Sequence, residues 1–171
     1  MRVLATGALL LAAMANSTAA EDLGKAAFRW TSEGPVMELE PGHLYSVGTF
    51  AGVLDFADDS AVLEDAVQDC MGYADLGELA GHCAIRASNG DQLFTKLLCG
   101  PAGSAAAQAF RASSCSHIIV GGTGMFDGAT GRANSASVEL TSRQIDDTLG
   151  HNTYLSSGYD SYSRFDLVLA D

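Results

Sequence analysis

Three side chains in this 171-residue sequence have chemistry suited to acid–base work: Tyr45, His82 and Glu139. His82 could act as a general base, because an imidazole changes its charge between about pH 5 and 8. Glu139 shares a face of a predicted strand with Ser135 and Ser137. If that face lines a closed interior, the pKa of Glu139 rises and the carboxyl can act as acid or base. Tyr45 is amphipathic and lies near one end of a predicted strand. The structural alternatives are a surface or packed histidine, a solvated carboxylate and a packed aromatic ring.

The remaining histidines and the possible nucleophiles are weaker candidates for catalysis or metal binding. His43 and His117 each begin a predicted strand, which favours a solvated position, and His151 falls in a polar stretch where exposure is expected. There is no C-x-x-C and no histidine pair at ligand spacing, so we expect no metal site. No Gly-x-Ser-x-Gly motif or serine triad is present. The sequence predicts neither a metal nor a cofactor.

Four cysteines stand at positions 70, 83, 99 and 115. An even count in an exported chain indicates disulfides, and four cysteines allow three pairings. We favour Cys70 with Cys83 and Cys99 with Cys115, because each pair then closes a loop of hairpin size.

The start of the chain predicts export. Met1-Arg2 precedes an apolar stretch through Met14, and small residues lead to Ala20. This order is typical of a secretory signal peptide, and its apolar centre is too short to span a bilayer. We predict a signal peptide over residues 1–20, one domain over residues 21–171, no membrane span, and a secreted or periplasmic location. The net charge of −12 argues against nucleic acid and anionic membrane surfaces.

A glycine-rich segment is the most distinctive stretch of the chain. The β-branched run at residues 118–120 predicts a buried strand. The five glycines after it are Gly121, Gly122, Gly124, Gly128 and Gly131. This density predicts a sharp turn with positive φ angles, folded back so that Met125 and Phe126 pack. A phosphate-binding loop would need a helix to follow. Residues 133–140 alternate like a strand, so we reject that alternative.

Short alternating runs recur along the chain. The predicted strands cover residues 36–39, 43–56, 62–73, 82–88, 91–98, 118–120, 133–141 and 161–170. A helix remains the alternative over 62–73. Asn89-Gly90 predicts a type I′ hairpin turn. We expect connections over 75–81 and 142–160 and a helical turn around 105–110. The sum is an all-β, closed antiparallel barrel of about eight strands, because closure removes exposed edges.

Two of these stretches resemble a known family. Residues 119–131 resemble the glycine signature of the allene oxide cyclase-like barrels, a calycin- and dirigent-like group. Residues 80–85, with Gly90-Asp91 and Gly100, are similar to the central hairpin of that family. The resemblance covers residues 45–140 well and the C-terminal strand loosely. It implies an eight-stranded barrel with an apolar cavity, often in a homo-oligomer. It also implies cofactor-independent cyclisation of a reactive fatty-acid epoxide by a carboxylate and a bound water.

The sequence departs from the plant members of that family. Their polar residues near the start of the barrel have no clear counterpart, although Glu38 and Glu40 lie near that end. Cys83 falls where the family has a cavity-lining cysteine, and a disulfide with Cys70 would exclude a free thiol there. The fold therefore carries over better than the reaction does.

Three functions follow from this combination. The first is a cofactor-independent cyclase or isomerase of an apolar or unsaturated small molecule, which the family resemblance favours. The second is a non-catalytic barrel that binds apolar ligands. The third is a structural or interaction module with a filled core. A buried carboxylate or histidine in an open interior favours the first function, and a wholly apolar interior favours the second.

Overall fold

The computed structural model describes residues 21–57, 62–101, 112–146 and 152–170. The strands are β1 (Glu21–Asp22), β2 (Ala26–Glu40), β3 (His43–Phe56), β4 (Ala66–Asp75), β5 (Glu78–Arg86), β6 (Gln92–Pro101), β7 (Ala112–Gly122), β8 (Thr130–Asp146) and β9 (Asn152–Val168). A single turn of 3₁₀ helix at Gly124–Phe126 lies between β7 and β8. The predicted signal peptide, the helical turn at 105–110 and His151 lie outside these residues. No helix in the described ranges is long and apolar enough to cross a membrane.

The sheet closes on itself. From β2 to β9 every strand pairs antiparallel with the next strand in the sequence, and β9 also pairs with β2. This last ladder runs from Ala26 opposite Tyr162 to Val36 opposite Asn152. The short β1 adds to β9. The predicted all-β barrel of eight antiparallel strands is therefore confirmed.

The strand boundaries differ from the predictions at both ends of the chain. The strand predicted over 36–39 is the last part of β2, which begins at Ala26. The 43–56 strand is confirmed, and 62–73 is a strand from Ala66 onward. The predicted connection over 142–160 is wrong wherever the structure describes it, because these residues belong to β8 and β9. The connection predicted over 75–81 consists only of Leu76-Gly77, because β4 ends at Asp75 and β5 begins at Glu78.

The tight two-residue turn is not at Asn89-Gly90. Leu76 and Gly77 both have positive φ, at 47° and 85°, as a type I′ turn requires. Around Asn89, only Gly90 has positive φ, at 92°. The Gly90 amide donates to the Ala87 carbonyl at 2.9 Å, and the Ala87 amide donates to Asp91 at 2.9 Å. The loop is thus a three-residue hairpin loop with glycine in the left-handed position, and the type I′ prediction is wrong.

One half of the barrel is filled. Its large side chains pack between the sheet walls and under the loops at residues 62–65, 87–91 and 123–129. The core residues include Phe28, Leu54, Leu63, Ile85, Leu93, Phe126, Phe165 and Leu167. Phe28 and Trp30 of β2 are both buried. This end supplies the continuous hydrophobic core that a domain of this size needs.

The glycine segment closes this filled end. Gly121, Gly124, Gly128 and Gly131 have positive φ, whereas Gly122 does not. Phe126 is fully buried and Met125 is 40% exposed, so the folded-back loop packs through only one of the two. The Met125 amide donates to Asp91 Oδ2 at 3.0 Å, which joins this loop to the 87–91 loop. β8 follows this turn, so the strand predicted over residues 133–141 is confirmed.

Both predicted disulfides are present. Cys70–Cys83 joins opposite residues of β4 and β5, and Cys99–Cys115 joins opposite residues of β6 and β7. No cysteine is free. Two disulfides are consistent with an extracellular or otherwise oxidising compartment.

Candidate functional site

The other half of the barrel is open. Between the walls, towards the end where β2 turns into β3 and β4 into β5, a cavity of about 160 Å³ lies among inward side chains. The inward positions here carry serine, alanine and glycine, such as Ser32, Ser46 and Ala74, where the filled half carries leucine and phenylalanine. Small side chains on every second residue leave the space that forms this cavity.

One wall of the cavity is made of sulfur and hydrocarbon. Both disulfides face inward on the adjacent strands β4 to β7, and Leu97 and Leu79 pack with them. Phe50 extends this apolar wall towards Trp30, with the two ring centroids 5.7 Å apart in an edge-to-face contact. An apolar group of a ligand would find its contacts here.

The opposite wall carries oxygen atoms from β8 and β9. Its members are Ser137, Glu139, Tyr154, Ser156 and Asp160. The Tyr154 hydroxyl donates to the Glu139 carboxylate and lies 2.9 Å from both of its oxygens. Alternate residues of each strand project inward, so the spacing 137–139 and 154–156 places these groups on one face.

Asp160 is the most deeply placed acid in the cavity wall. It is 6% exposed, and its Oδ1 accepts a hydrogen bond from Trp30 Nε1 at 2.8 Å. Burial raises the pKa of Asp160, and hydrogen bonds from Ser137 and Trp30 offset part of that rise. Gly158 makes room for the indole, since a Cβ there would lie 2.1 Å from Trp30 Cζ2.

A chain of buried polar groups begins beside the cavity and runs beneath it. The Tyr162 hydroxyl donates to Gln68 Oε1 at 3.1 Å, and Gln68 Nε2 donates to Cys70 Sγ at 3.3 Å. His117 Nε2 lies 3.2 Å from the Tyr162 oxygen and 3.5 Å from Ser135 Oγ. Because the Tyr162 proton is used on Gln68, the network assigns the imidazole proton to Nε2.

His117 is therefore not solvated, and the prediction that it would be is wrong. It is 1% exposed, and desolvation lowers its pKa from 6.5 to about 4. His117 lies inside β7, in an inward series with Cys115 and Ile119, rather than at the start of the strand. Burial also raises the pKa of Tyr162, helped by the nearby charge of Asp160. At neutral pH this network is uncharged.

The structure brings only one of the three predicted acid–base residues into the cavity. Glu139 lines it, as its face with Ser135 and Ser137 suggested. His82 is exposed on the outer face of the barrel. Tyr45 also lies outside, where its ring stacks on Tyr73 with centroids 5.9 Å apart. His82 and Tyr45 are thus not assembled with Glu139.

Sequence reasoning missed Tyr154, Tyr162 and Asp160, which are hydrogen-bond partners of Glu139, His117 and Trp30, respectively. All three lie in or next to the stretch predicted as a connection. The available signal was the alternation Tyr154-x-Ser156-x-Gly158-x-Asp160-x-Tyr162, which is a strand period with a polar rather than apolar inner face. A pattern search for hydrophobic residues does not register such a strand.

Metal ligation has no candidate in the parts of the chain that are described. No group of three or more His, Cys, Asp or Glu side chains there is arranged to hold a metal ion. Within those ranges, the chemistry available at the cavity is that of carboxyl, hydroxyl and amide groups.

Comparison with protein-family models, with curated proteins and with solved structures found no match to this chain. The class of protein is therefore defined by its own architecture, a closed eight-stranded antiparallel barrel with one filled and one open half.

Proposed function

We propose that the open half of the barrel binds a small amphipathic molecule. The observation that carries this proposal is the two-sided cavity, with disulfides and leucines on one wall and carboxyl and hydroxyl groups on the other. Ligand sites commonly combine an apolar lining with a few convergent polar groups. The volume of about 160 Å³ is close to that of an engineered cavity of roughly 150 Å³ that binds benzene. A single ring or a short branched chain fits.

The interior argues against a purely structural module. A barrel of eight strands can be filled with side chains or can hold one small ligand. The filled half of this barrel shows the first solution, and five serines line the cavity in the other half: Ser32, Ser46, Ser113, Ser137 and Ser156. Hydroxyl groups in a space without a function would be a net cost, because apolar side chains of larger volume stabilise a core better.

Trp30 makes the proposal testable. It is the single tryptophan of the chain and it lines the cavity, so its fluorescence reports occupancy of that space. We expect single-ring probes such as 2-phenylethanol to shift or quench this emission in a saturable way. Ser113→Phe fills the cavity and abolishes the response, whereas Ser114→Phe, on the exposed neighbouring residue, preserves it. No saturable response to any ring-sized probe would refute ligand binding here.

A second candidate function is a cofactor-independent isomerase, and the pair of carboxyl groups favours it. Glu139 is opposite Gly158 in the β8–β9 ladder and Asp160 is opposite Ser137, so the two acids are diagonal neighbours. This relation places residues about 7–8 Å apart, enough for a reacting group between them. Burial raises the pKa of Asp160, and hydrogen bonds from Ser137 and Trp30 offset part of the rise. One acid and one base are what a proton shift requires.

In that mechanism Glu139 removes a proton from the carbon between a carbonyl and an isolated double bond. The electron pair moves into a dienolate, whose oxygen accepts a hydrogen bond from Asp160 when that carboxyl group carries a proton. The proton on Glu139 then returns to the γ carbon, and the double bond becomes conjugated with the carbonyl. Atoms and charge balance without an oxidant or a cofactor.

Cyclohex-3-enone is a probe of suitable size for this reaction. Its conversion to cyclohex-2-enone is followed by ultraviolet absorbance. We expect Glu139→Gln to lower the rate by about 100-fold or more, as loss of a general base does, and the exposed Glu78→Gln to leave it unchanged. A rate equal to that of buffer alone would exclude this reaction class.

Two wider proposals accompany the site. The resemblance to allene oxide cyclase-like barrels is supported by the closed barrel and the positive-φ glycines of the 119–131 segment. Export through residues 1–20 is supported by the two disulfides. Native mass spectrometry of protein from its source would report a mature mass, any bound molecule and any homo-oligomer together.

A further inference from the structure

We infer that the cavity selects a small aromatic ammonium ion, a single ring carrying a short alkylamine, and rejects carboxylate ligands. This inference rests on the proposed ligand-binding function and names its ligand class. It combines the sulfur-lined wall, the cavity volume and the hydrogen-bonding state of the acids opposite.

The two acids of the polar wall present acceptor oxygens. The Tyr154 hydroxyl is already directed at Glu139, and the Trp30 N–H is already directed at Asp160. Ser137 also hydrogen-bonds to Asp160. A carboxylate can accept about four hydrogen bonds, more than these donors supply to Asp160. A ligand group that hydrogen-bonds to these carboxylates must therefore donate. An ammonium group carries three N–H donors, and its charge favours the ionised form of a neighbouring acid.

The charge of the wall points the same way. Two carboxyl groups line the cavity, and among the described lining residues there is no lysine, arginine or histidine. Charges interact more strongly in a partly buried site than in water, so a carboxylate ligand is repelled and an ammonium is attracted. The net charge of −12 adds to this preference over a longer range.

The opposite wall suits an aromatic ring. Sulfur atoms are polarisable and make favourable contacts with the edges and faces of rings. Both disulfides present sulfur to the cavity beside Leu97 and Phe50. A ring packed on this wall directs a two-carbon side chain across the cavity towards Glu139 and Asp160. The volume of about 160 Å³ admits one ring and not two.

Three probes of nearly equal shape test the inference: 2-phenylethylamine, 2-phenylethanol and phenylacetate. Each is titrated into the full chain while Trp30 emission is followed. We expect the amine to bind at least roughly tenfold more tightly than the alcohol, a factor that corresponds to about 1.4 kcal/mol for a partly buried ion pair. Phenylacetate should give no saturable response.

Substitutions distinguish the effect of the cavity acids on amine binding from the effect of the net charge of the protein. Glu139→Gln and Asp160→Asn should bring the affinity for the amine down to that for the alcohol, while binding of the alcohol is retained. Retained binding of the alcohol shows that each variant is folded. Glu78→Gln removes the same charge from an exposed position and should leave the preference unchanged.

The outcomes distinguish the preference for an ammonium ion from ligand binding itself. Equal binding of amine and alcohol, or any saturable binding of phenylacetate, overturns the ammonium inference and leaves the ligand-binding proposal standing. Absence of binding by all three probes, together with equal emission of Ser113→Phe and wild type in their presence, overturns both.

Discussion

Acidification should destabilise this protein through His117. The imidazole is buried, and its pKa falls from 6.5 in the unfolded chain to about 4 in the folded protein. Between these values the unfolded chain binds a proton that the folded protein does not bind, so the free energy of unfolding decreases as the pH falls from 6.5 to 4. Each unit of pKa difference corresponds to about 1.36 kcal/mol. The shift therefore lowers the free energy of unfolding by about 3 kcal/mol below pH 4. About 2 kcal/mol of this decrease occurs between pH 7 and 5.

Asp160 changes the free energy of unfolding in the opposite direction over part of this pH range. Its pKa is raised above 3.8, so its contribution to stability is present at low pH and is lost as the pH rises through the folded value. The pH profile of the wild type therefore mixes the two effects. A difference between the wild type and a histidine variant isolates the contribution of His117.

The assay is urea unfolding followed by Trp30 fluorescence at pH 7, 6 and 5. His117→Gln keeps a polar side chain near Tyr162 and does not titrate. We expect the free energy of unfolding to fall by about 2 kcal/mol more in the wild type than in His117→Gln between pH 7 and 5. The exposed His82→Gln serves as the control and should follow the wild type. If wild type and His117→Gln lose equal stability on acidification, the burial of a neutral His117 is refuted.

Three further perturbations, two of them with a matched control variant, test the filled half of the barrel and one disulfide of the open half. Phe126→Ala should cost about 3–5 kcal/mol of unfolding free energy because it empties a fully buried site. Met125→Ala, at a half-exposed neighbour, should cost less than about 1 kcal/mol, and equal losses would contradict the packing of the glycine loop. Gly131→Ala should cost at least about 2 kcal/mol, since φ is 141° and the new Cβ would lie 2.2 Å from the Asp166 carbonyl oxygen. Gly100→Ala is the control, because a Cβ at this position would have nothing within 4 Å, and it should leave the stability nearly unchanged. Thermal denaturation of both glycine variants measures these effects. Removal of the Cys70–Cys83 disulfide by a double alanine substitution should cost about 3 kcal/mol in urea unfolding, and an unchanged midpoint would show that the link does not constrain the unfolded chain.

Much of the barrel follows from local sequence signals. The 43–56 strand alternates regularly, and two glycines on its inner face predict a closed rather than flat sheet. The disulfide pairing follows from the loop each pair would close. The turn type at Asn89-Gly90 does not follow in this way. Asp91 binds the Met125 amide of a loop distant in sequence, so tertiary contacts contribute to the shape of this turn.

The candidate site was less accessible to sequence reasoning because it reverses the usual pattern. A strand that faces a hydrophobic core shows apolar residues at every second position, as Leu54 and Phe56 do at the filled end of β3. The inner face of β9 shows Tyr154, Ser156, Gly158 and Asp160, so the hydrophobic signal disappears where the cavity begins. Glu139 was identified because it shared a face with two serines. Its partner Tyr154 comes from a different strand, and only the register of β8 with β9 brings them together.

The separation of this barrel into a packed end and a hollow end has a consequence for how the protein can change. Folding energy is concentrated at the packed end, while the hollow end is held by covalent cross-links that tolerate replacement of the side chains around them. Substitutions at the serine positions should therefore change the shape and polarity of the cavity at little cost in the free energy of unfolding. The interior of the hollow end and the stability of the fold can therefore be varied largely independently of each other.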